Sequence, residues 1–211
     1  MQAPKLELKT APGVEPVTSA DLAVWLGAPA TNPTLPALCA GARDVCERHL
    51  GMGFITQTWK QMYDLQQLQT EWWDGVRQGP VTAVHAVPST FCLARWPLVS
   101  VTSVNFYDEE DVATLADSLS YYVSKTSRPP RVTLRTGFQW PTPVYRVSDA
   151  AVIEFVVGYG EAASDVPDAI KNGVKALAAF NFEHRGECEA EEALVRSGAA
   201  EYLKPYKVRH V

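Results

Sequence analysis

Ile55-Thr-Gln-Thr-Trp59 marks the place where this chain changes its period. Before it, apolar residues recur at helical spacing. From it onward, β-branched and aromatic residues come in short runs bounded by Pro, Gly, Asp and Ser. Such runs at Ile55–Tyr63, Val81–Val87, Val99–Tyr107, Tyr121–Ser124, Arg131–Thr136 and Ala151–Val157 read as about six strands, mostly antiparallel and joined by hairpins. Asp108-Glu-Glu-Asp111, Ser127-Arg-Pro-Pro130 and Trp140-Pro-Thr-Pro143 mark turns between them. After Gly158-Tyr-Gly160 the helical period returns. The expected class is α+β: an α-helical bundle of N-terminal helices plus two C-terminal helices, carrying a large antiparallel β-rich insertion over 54–160.

On the N-terminal side, Thr18-Ser-Ala-Asp21 offers a hydroxyl cap with a carboxylate three residues on, and Leu22, Trp25 and Leu26 give the short helix one apolar face. Gly27 and Pro29 stop it. A second helix is expected from Leu35 or Pro36 to Leu50, with Leu38, Ala42, Val45, Cys46 and His49 on a shared face and Arg43, Asp44, Glu47 and Arg48 pointing elsewhere. Gly51 and Gly53 punctuate its end. On the C-terminal side, Ser164 or Asp165 caps a helix with Pro167 in an early turn, where a missing N–H costs nothing. Ile170, Val174, Leu177, Ala178 and Phe180 or Asn181 form its buried stripe, and it ends near Gly186. A last helix over Glu187–Leu203 carries Leu194, Val195, Tyr202 and Leu203 on its apolar side. Residues 18–53 and 161–203 thus make the bundle, 1–17 a flexible or extended N-terminal arm, and 204–211 a C-terminal tail. Thr70–Gly79, with Trp72 and Trp73, reads as a long loop exposing aromatic side chains.

The 211 residues carry a formal net charge of -5, which argues against a protein whose main work is gripping phosphates. A protein that surrounds DNA without binding it is compatible with that balance. No stretch approaches the roughly 20 apolar residues of a membrane span, and Met1–Glu15 has no signal-peptide pattern, so a cytosol-like compartment and no membrane partner are expected. Cys39, Cys46, Cys92 and Cys188 lack framework spacing and read as free thiols.

Each constellation that could carry chemistry meets a plainer reading. Cys46-x-x-His49 with His184-x-x-x-Cys188 could build a tetrahedral zinc site if their helices packed side by side. The spacings are loose, and a core face plus a helix junction accounts for all four residues. Cys92 and His85 have no oxyanion element beside them. The acidic turn at Asp108–Asp111 lacks the spacing and glycine of a calcium loop. Gly158-Tyr-Gly160 is too short for a phosphate cradle and has no following Lys-Ser/Thr. Trp72-Trp73 could stack on bases, yet few basic residues stand beside them, which favours protein contact. No catalytic residue, metal ligand or cofactor is assigned, and an enzyme is not expected.

An ordered series of segments runs through nearly the whole chain. Pro16-Val-Thr18 opens a helix; a helix ending at His49 leads through a small-residue turn into Ile55-Thr-Gln-Thr-Trp59; Pro97-Leu-Val-Ser-Val-Thr-Ser-Val runs to Asp108. Tyr121-Tyr-Val123, Trp140-Pro141, Phe155-Val-Val-Gly-Tyr-Gly160, Val166-Pro-Asp-Ala-Ile-Lys171, His184-Arg185 and Leu203-Lys-Pro-Tyr206 follow. The series resembles the head–tail connector (head-completion adaptor) proteins of long-tailed bacteriophages. Two departures are Glu109-Glu-Asp111, where Asp-Gly is common, and a longer stretch over residues 66–90.

What the resemblance implies is a structural virion protein. Such adaptors form a ring, commonly twelvefold, that docks under the portal protein, extends the DNA channel and provides the platform for the next neck or tail protein, the stopper. DNA would only pass through the channel. The location would be the virion neck between capsid and tail, after synthesis in the bacterial host cytoplasm. Under this reading the tail Tyr202–Val211 docks on the portal, with Tyr202 and Tyr206 as anchors and Lys204, Lys207 and Arg209 meeting acidic surface. Trp72 and Trp73 would face neighbouring subunits or the tail, and the acidic residues of Glu187–Glu192 would line the channel. The alternatives are a stopper or tail-terminator ring, or a zinc-stabilised binding module.

Overall fold

Thr18 opens the first helix as its sequence implies. Its hydroxyl accepts the Asp21 N–H at 3.1 Å while its own amide donates to Asp21 Oδ2 at 3.2 Å, so two orphan donors are satisfied reciprocally. Helix α1 runs Ser19–Leu26 and closes on Gly27, whose φ of 64° is the left-handed conformation that glycine takes without a Cβ penalty. Helix α2 spans Leu35–Leu50, α3 Asp168–Glu183, α4 Ala190–Arg196 and α5 Ala199–Leu203, the last followed by a single 3-10 turn over Lys204–Tyr206. The strands are β1 Lys5–Thr10, β2 Gln57–Tyr63, β3 Thr90–Cys92, β4 Leu98–Tyr107, β5 Ala113–Leu115, β6 Tyr121–Ser124, β7 Arg131–Leu134 and β8 Ala151–Val157. The computed structural model describes residues 5–65, 87–141, 144–184 and 188–207. The class is α+β.

The chain divides into two compact units, one drawn from Ala11–Gln57, Arg95–Pro97 and Val157–Val211, the other from Met1–Thr10, Thr58–Ala94 and Leu98–Val156. In the first, helical unit, the core gathers Leu22 and Ala23 of α1, Leu35, Cys39, Ala42, Cys46 and Leu50 of α2, and Ile170, Val174, Leu177 and Ala178 of α3. Two faces differ from expectation. The buried stripe of α2 passes through Leu35, Cys39, Ala42, Cys46 and Leu50, leaving Leu38 and Val45 as partly buried flanks, and Glu47 is inside it. Trp25 of α1 lies on the surface, with the Lys175 ammonium 5.8 Å from its ring centroid.

The single last helix expected over Glu187–Leu203 is two helices. Gly198 takes φ 74°, and the Ser197 hydroxyl donates to Leu194 O at 3.2 Å while accepting from Ala199 N at 3.3 Å. That polar turn re-aims the chain, so Leu194 and Leu203 are both buried while Val195 and Tyr202 remain on the surface.

In the strand unit, a five-stranded sheet has the order β1-β2-β8-β4-β5 and a three-stranded antiparallel sheet the order β3-β7-β6. β8, third of five, is apolar everywhere but Glu154, and its residues on both faces are buried or half-buried. Phe91, Phe106 and Trp140 form an aromatic hub with ring centroids 5.4 to 6.3 Å apart, joined by Tyr63, Tyr121 and Tyr145. Trp140, expected in a turn, is buried there, and its indole N–H donates to Pro88 O at 3.0 Å.

Three strands were not legible. The segment read as a flexible or extended arm contains β1, which pairs antiparallel with β2 in the register Lys5↔Met62 through Leu8↔Trp59. β3 and β5 have three residues each, too few for a periodic signal. Residues 81–86 of the run expected as a second strand lie outside the described residues.

Candidate functional site

The expected docking residues begin on α5. Leu203 is fully buried against α3, where a Cβ added to Gly173 would lie 3.1 Å from Leu203 Cδ2, so this glycine sets how closely the two helices approach. With Leu203 inward, Tyr202 is 43% exposed, and Lys204 pairs with Glu201 at 3.3 Å on the surface. Pro205 carries the chain through the 3-10 turn, and Tyr206 returns half-buried against the helical core. Lys207 then places its Nζ 3.5 Å from His49 Nε2 at the end of α2. Burial, and secondarily the Lys207 charge, hold the His49 imidazole below its ordinary pKa, against an opposing pull from Glu191. Tyr202, Lys204, Tyr206 and Lys207 therefore belong to one short folded segment. Arg209, and the pair Trp72 and Trp73, lie outside the described residues.

The same end of α2 holds a buried carboxylate. Glu47 is 4% exposed. Its Oε1 accepts the Phe54 amide at 2.7 Å and Gln57 Nε2 at 2.8 Å, while Oε2 accepts Arg43 Nη1 at 2.7 Å. Arg43 also donates through Nε to Glu15 Oε2 at 2.8 Å, and Arg95 Nη1 donates to Glu47 O at 2.9 Å and Met52 O at 3.3 Å. Burial pushes the Glu47 carboxyl above the ordinary carboxylate range, opposed by the Phe54 amide, Arg43 and Gln57. The sequence reading put Glu47 on the outer side of its helix. The overlooked signal is the i,i+4 pair Arg43/Glu47 standing just before Gly51 and Gly53, which turn the following chain back over the helix end.

This carboxylate lies where the segments that carried the resemblance converge. Gln57 belongs to Ile55-Thr-Gln-Thr-Trp59; Gly53 N donates to Trp96 O at 3.0 Å; Thr56 N donates to Gly160 O at 2.9 Å and Tyr159 N to Phe54 O at 3.0 Å. Gly158, at φ 143°, lies so close to the Ile55–Thr56 backbone that a Cβ there would be 2.6 Å from Thr56 N. A Cβ at Gly160 would run into the Asp165 carboxylate, whose Oδ2 accepts Ala162 N at 3.0 Å just before Val166 and α3. The glycines of Gly158-Tyr-Gly160 thus serve backbone-to-backbone packing and the lead into a helix.

The zinc alternative finds no gathered ligands. Among the described residues, which include Cys46, His49, His184 and Cys188, no group of three or more His, Cys, Asp or Glu could hold a metal ion. Cys46 is buried in the α2 stripe with its thiol pushed up to about 12 by burial, and the His184 ring stacks on Phe180 at 4.4 Å. Cys92 is exposed, and His85 lies outside the described residues. Among those residues no helix is long and apolar enough to cross a membrane.

No protein-family model matches the chain, and no curated protein does. Solved structures do. The chain is similar to one from the neck of the native gene transfer agent (GTA) particle computed with C12 symmetry, at 18% identity and a TM-score of 0.70 over 98% of this chain and 97% of that one. It is similar to one from the neck of the empty particle computed with C6 symmetry, at 17% identity and a TM-score of 0.72, again over 98% and 97%. A third, from the virion of the native particle, gives 17% identity and a TM-score of 0.70 over 98% and 96%. What is shared at that identity is the fold, across nearly the full length of both chains.

Proposed function

We propose that this chain is a structural neck protein of a phage-like particle, and within the neck the head–tail adaptor: a ring subunit that docks under the portal and offers a platform to the next neck or tail protein. The observation that carries the reading is the full-length likeness, at a TM-score of 0.70 to 0.72, to chains of particle necks computed with C12 and C6 symmetry. The packed junction of Glu47, Gly158 and Gly160 supports it from within, because it gives a physical reason for the segments that resemble the adaptor family. The role is assembly, with DNA passing through the ring.

The portal-docking surface in this reading is Tyr202, Lys204, Tyr206, Lys207 and Arg209. Tyr202 through Lys207 are held by Leu203 and by the packing of Tyr206, so docking spends little conformational entropy on them, and twelve copies acting together multiply a modest single contact. Trp72 and Trp73 are proposed as contacts to a neighbouring subunit or the tail. Native mass spectrometry of the protein mixed with its cognate portal tests the reading. Twelve copies added per portal is the expected result, and Lys204→Glu with Lys207→Glu should weaken the addition at least tenfold. No association with portal sinks the adaptor assignment, and binding instead to a tail protein would make the chain a stopper or tail terminator.

A further inference from the structure

The net charge of -5 is spread unevenly along this chain. From Ser118 to Ser148 there is no Asp or Glu, while Lys125, Arg128, Arg131, Arg135 and Arg146 all fall in that stretch. Arg146 is committed to Asp111 at 2.8 Å. The other four belong to the β6–β7 hairpin and its exit, and all four are exposed. Among the described residues Lys125, Arg131 and Arg135 stand in no ion pair.

The ladder fixes which way these side chains point. β6 and β7 pair in the register Tyr121↔Leu134, Tyr122↔Thr133, Val123↔Val132 and Ser124↔Arg131. Tyr121, Val123, Val132 and Leu134 therefore share one face, and Tyr122, Ser124, Arg131 and Thr133 the other. Tyr121 and Val132 are buried, which makes the first face the inner one, and Tyr122 on the second is 50% exposed. Arg135 follows at the same period, its Nε donating to Tyr121 O at 3.1 Å, which holds the guanidinium against the ladder. Thr90 of β3 joins the outer face, its Oγ1 3.3 Å from Thr133 Oγ1. Lys125 and Arg128 lie in the loop between the two strands.

Every side chain on the outer face of this ladder can donate a hydrogen bond, and none is aliphatic. A protein-binding patch has an apolar centre with its charge at the rim, whereas here the charge is central. Arg, Lys, Ser, Thr and Tyr are the side chains that hold phosphate oxygens. The nearest carboxylate along the chain is Asp117. Residues 66–86, outside the described residues, add Glu71, Asp74 and Arg77, one net negative charge. Four cations less Asp117 and less that one charge still leave a positive balance.

We propose that the outer face of the β6–β7 hairpin binds the phosphate backbone of double-stranded DNA without reading its sequence. The chain as a whole is too acidic to grip phosphate, but a ring repeats a local contact of a few cations in every copy. The ring reading says why DNA meets this face; the contact itself rests on the hairpin alone.

Fluorescence anisotropy of a labelled duplex of about 20 base pairs, with the full chain titrated to about 100 μM in about 50 mM salt, tests the proposal. Binding is expected, and its affinity should fall with salt at a log–log slope of about -3, for three or four phosphates neutralised. Lys125→Gln with Arg131→Gln should weaken binding about tenfold or more and flatten the slope by about 2, with an unchanged circular dichroism spectrum. Lys175→Gln with Arg196→Gln removes the same charge elsewhere and should leave affinity and slope as they are. No binding by the wild type, or equal losses from the two double variants, overturns the proposal. So does a hairpin variant that binds DNA normally; if that variant then fails to add to portal, the face belongs to an acidic protein surface instead. None of these results touches the neck reading, which stands or falls on portal addition by the wild type.

Discussion

Replacing Glu47 by Ala tests whether one carboxylate organises the junction of the helical unit. The substitution deprives three donors of their acceptor: the Phe54 amide, the Gln57 side-chain amide and one arm of Arg43. A buried neutral donor left unpaired costs about 1–3 kcal/mol, and breaking a buried ion pair from one side about 3–5 kcal/mol. Arg43 and Glu47 side chains are 14% and 5% exposed, so little solvent screening discounts the pair. The three losses share one pocket and do not add, which puts the total near 4 kcal/mol. Against a typical domain stability of about 5–15 kcal/mol that is a large fraction. Glu47→Gln keeps a carbonyl oxygen for the neutral donors but also breaks the pair with Arg43, which Glu15 still partners, so a smaller loss of about 2–3 kcal/mol is expected. Urea unfolding followed by circular dichroism reads both values, and hydrogen exchange at the Phe54 amide should accelerate in the same order. A loss below about 1 kcal/mol for Ala, or equal losses for Ala and Gln, would refute the argument.

Three further outcomes follow from other parts of the same unit. Gly158→Ala should destabilise by about 3 kcal/mol or more, because the three atoms nearest the new Cβ are all backbone, at 2.6 to 2.7 Å, at a φ of 143°. Gly41→Ala on α2 has nothing within 4 Å of its Cβ and should gain about 0.5–1 kcal/mol; a similar response from both glycines in thermal unfolding would contradict the packing described. The depressed His49 pKa also sets a sign. Between the unfolded value of about 6.5 and the lower folded value the unfolded chain holds more protons, so this contribution is full above pH 6.5 and is lost as the pH falls through that window. Denaturation midpoints from pH 7.5 to 5 should therefore fall more steeply for the wild type than for His49→Gln, and parallel curves would remove His49 from the account.

Much of the local structure was legible because its causes are local. Thr18 with Asp21 fixes a helix start, Gly27 and Gly51 fix two ends, and the β-branched run Ala151–Val157 fixes a strand to the residue. The sequence reading set residues 204–211 apart as a C-terminal tail beyond the last helix. In the structure Leu203 and Tyr206 already tie that segment to the core. The break at Gly198 was missed because a lone Ser-Gly pair within a helical pattern does not say which face each half must bury.

By itself the sequence determined the α+β class, the Thr18 cap, the glycine ends of α1 and α2 and most strand positions, and it supplied the ordered segments that pointed to a particle neck. The cap expected from Ser164 or Asp165 is instead Pro167, with Asp165 bonded back to Ala162 N. Only the tertiary structure decided that Glu47 turns inward, that α4 and α5 are separate, and that β1 and β5 stand at the two ends of one sheet's strand order. Caps and periods are set by neighbours a few residues apart. The burial of a charge, the side of a helix that faces a core and the identity of an edge strand depend on partners far away along the chain, such as Phe54 and Gln57 for Glu47 or Met62 for Lys5.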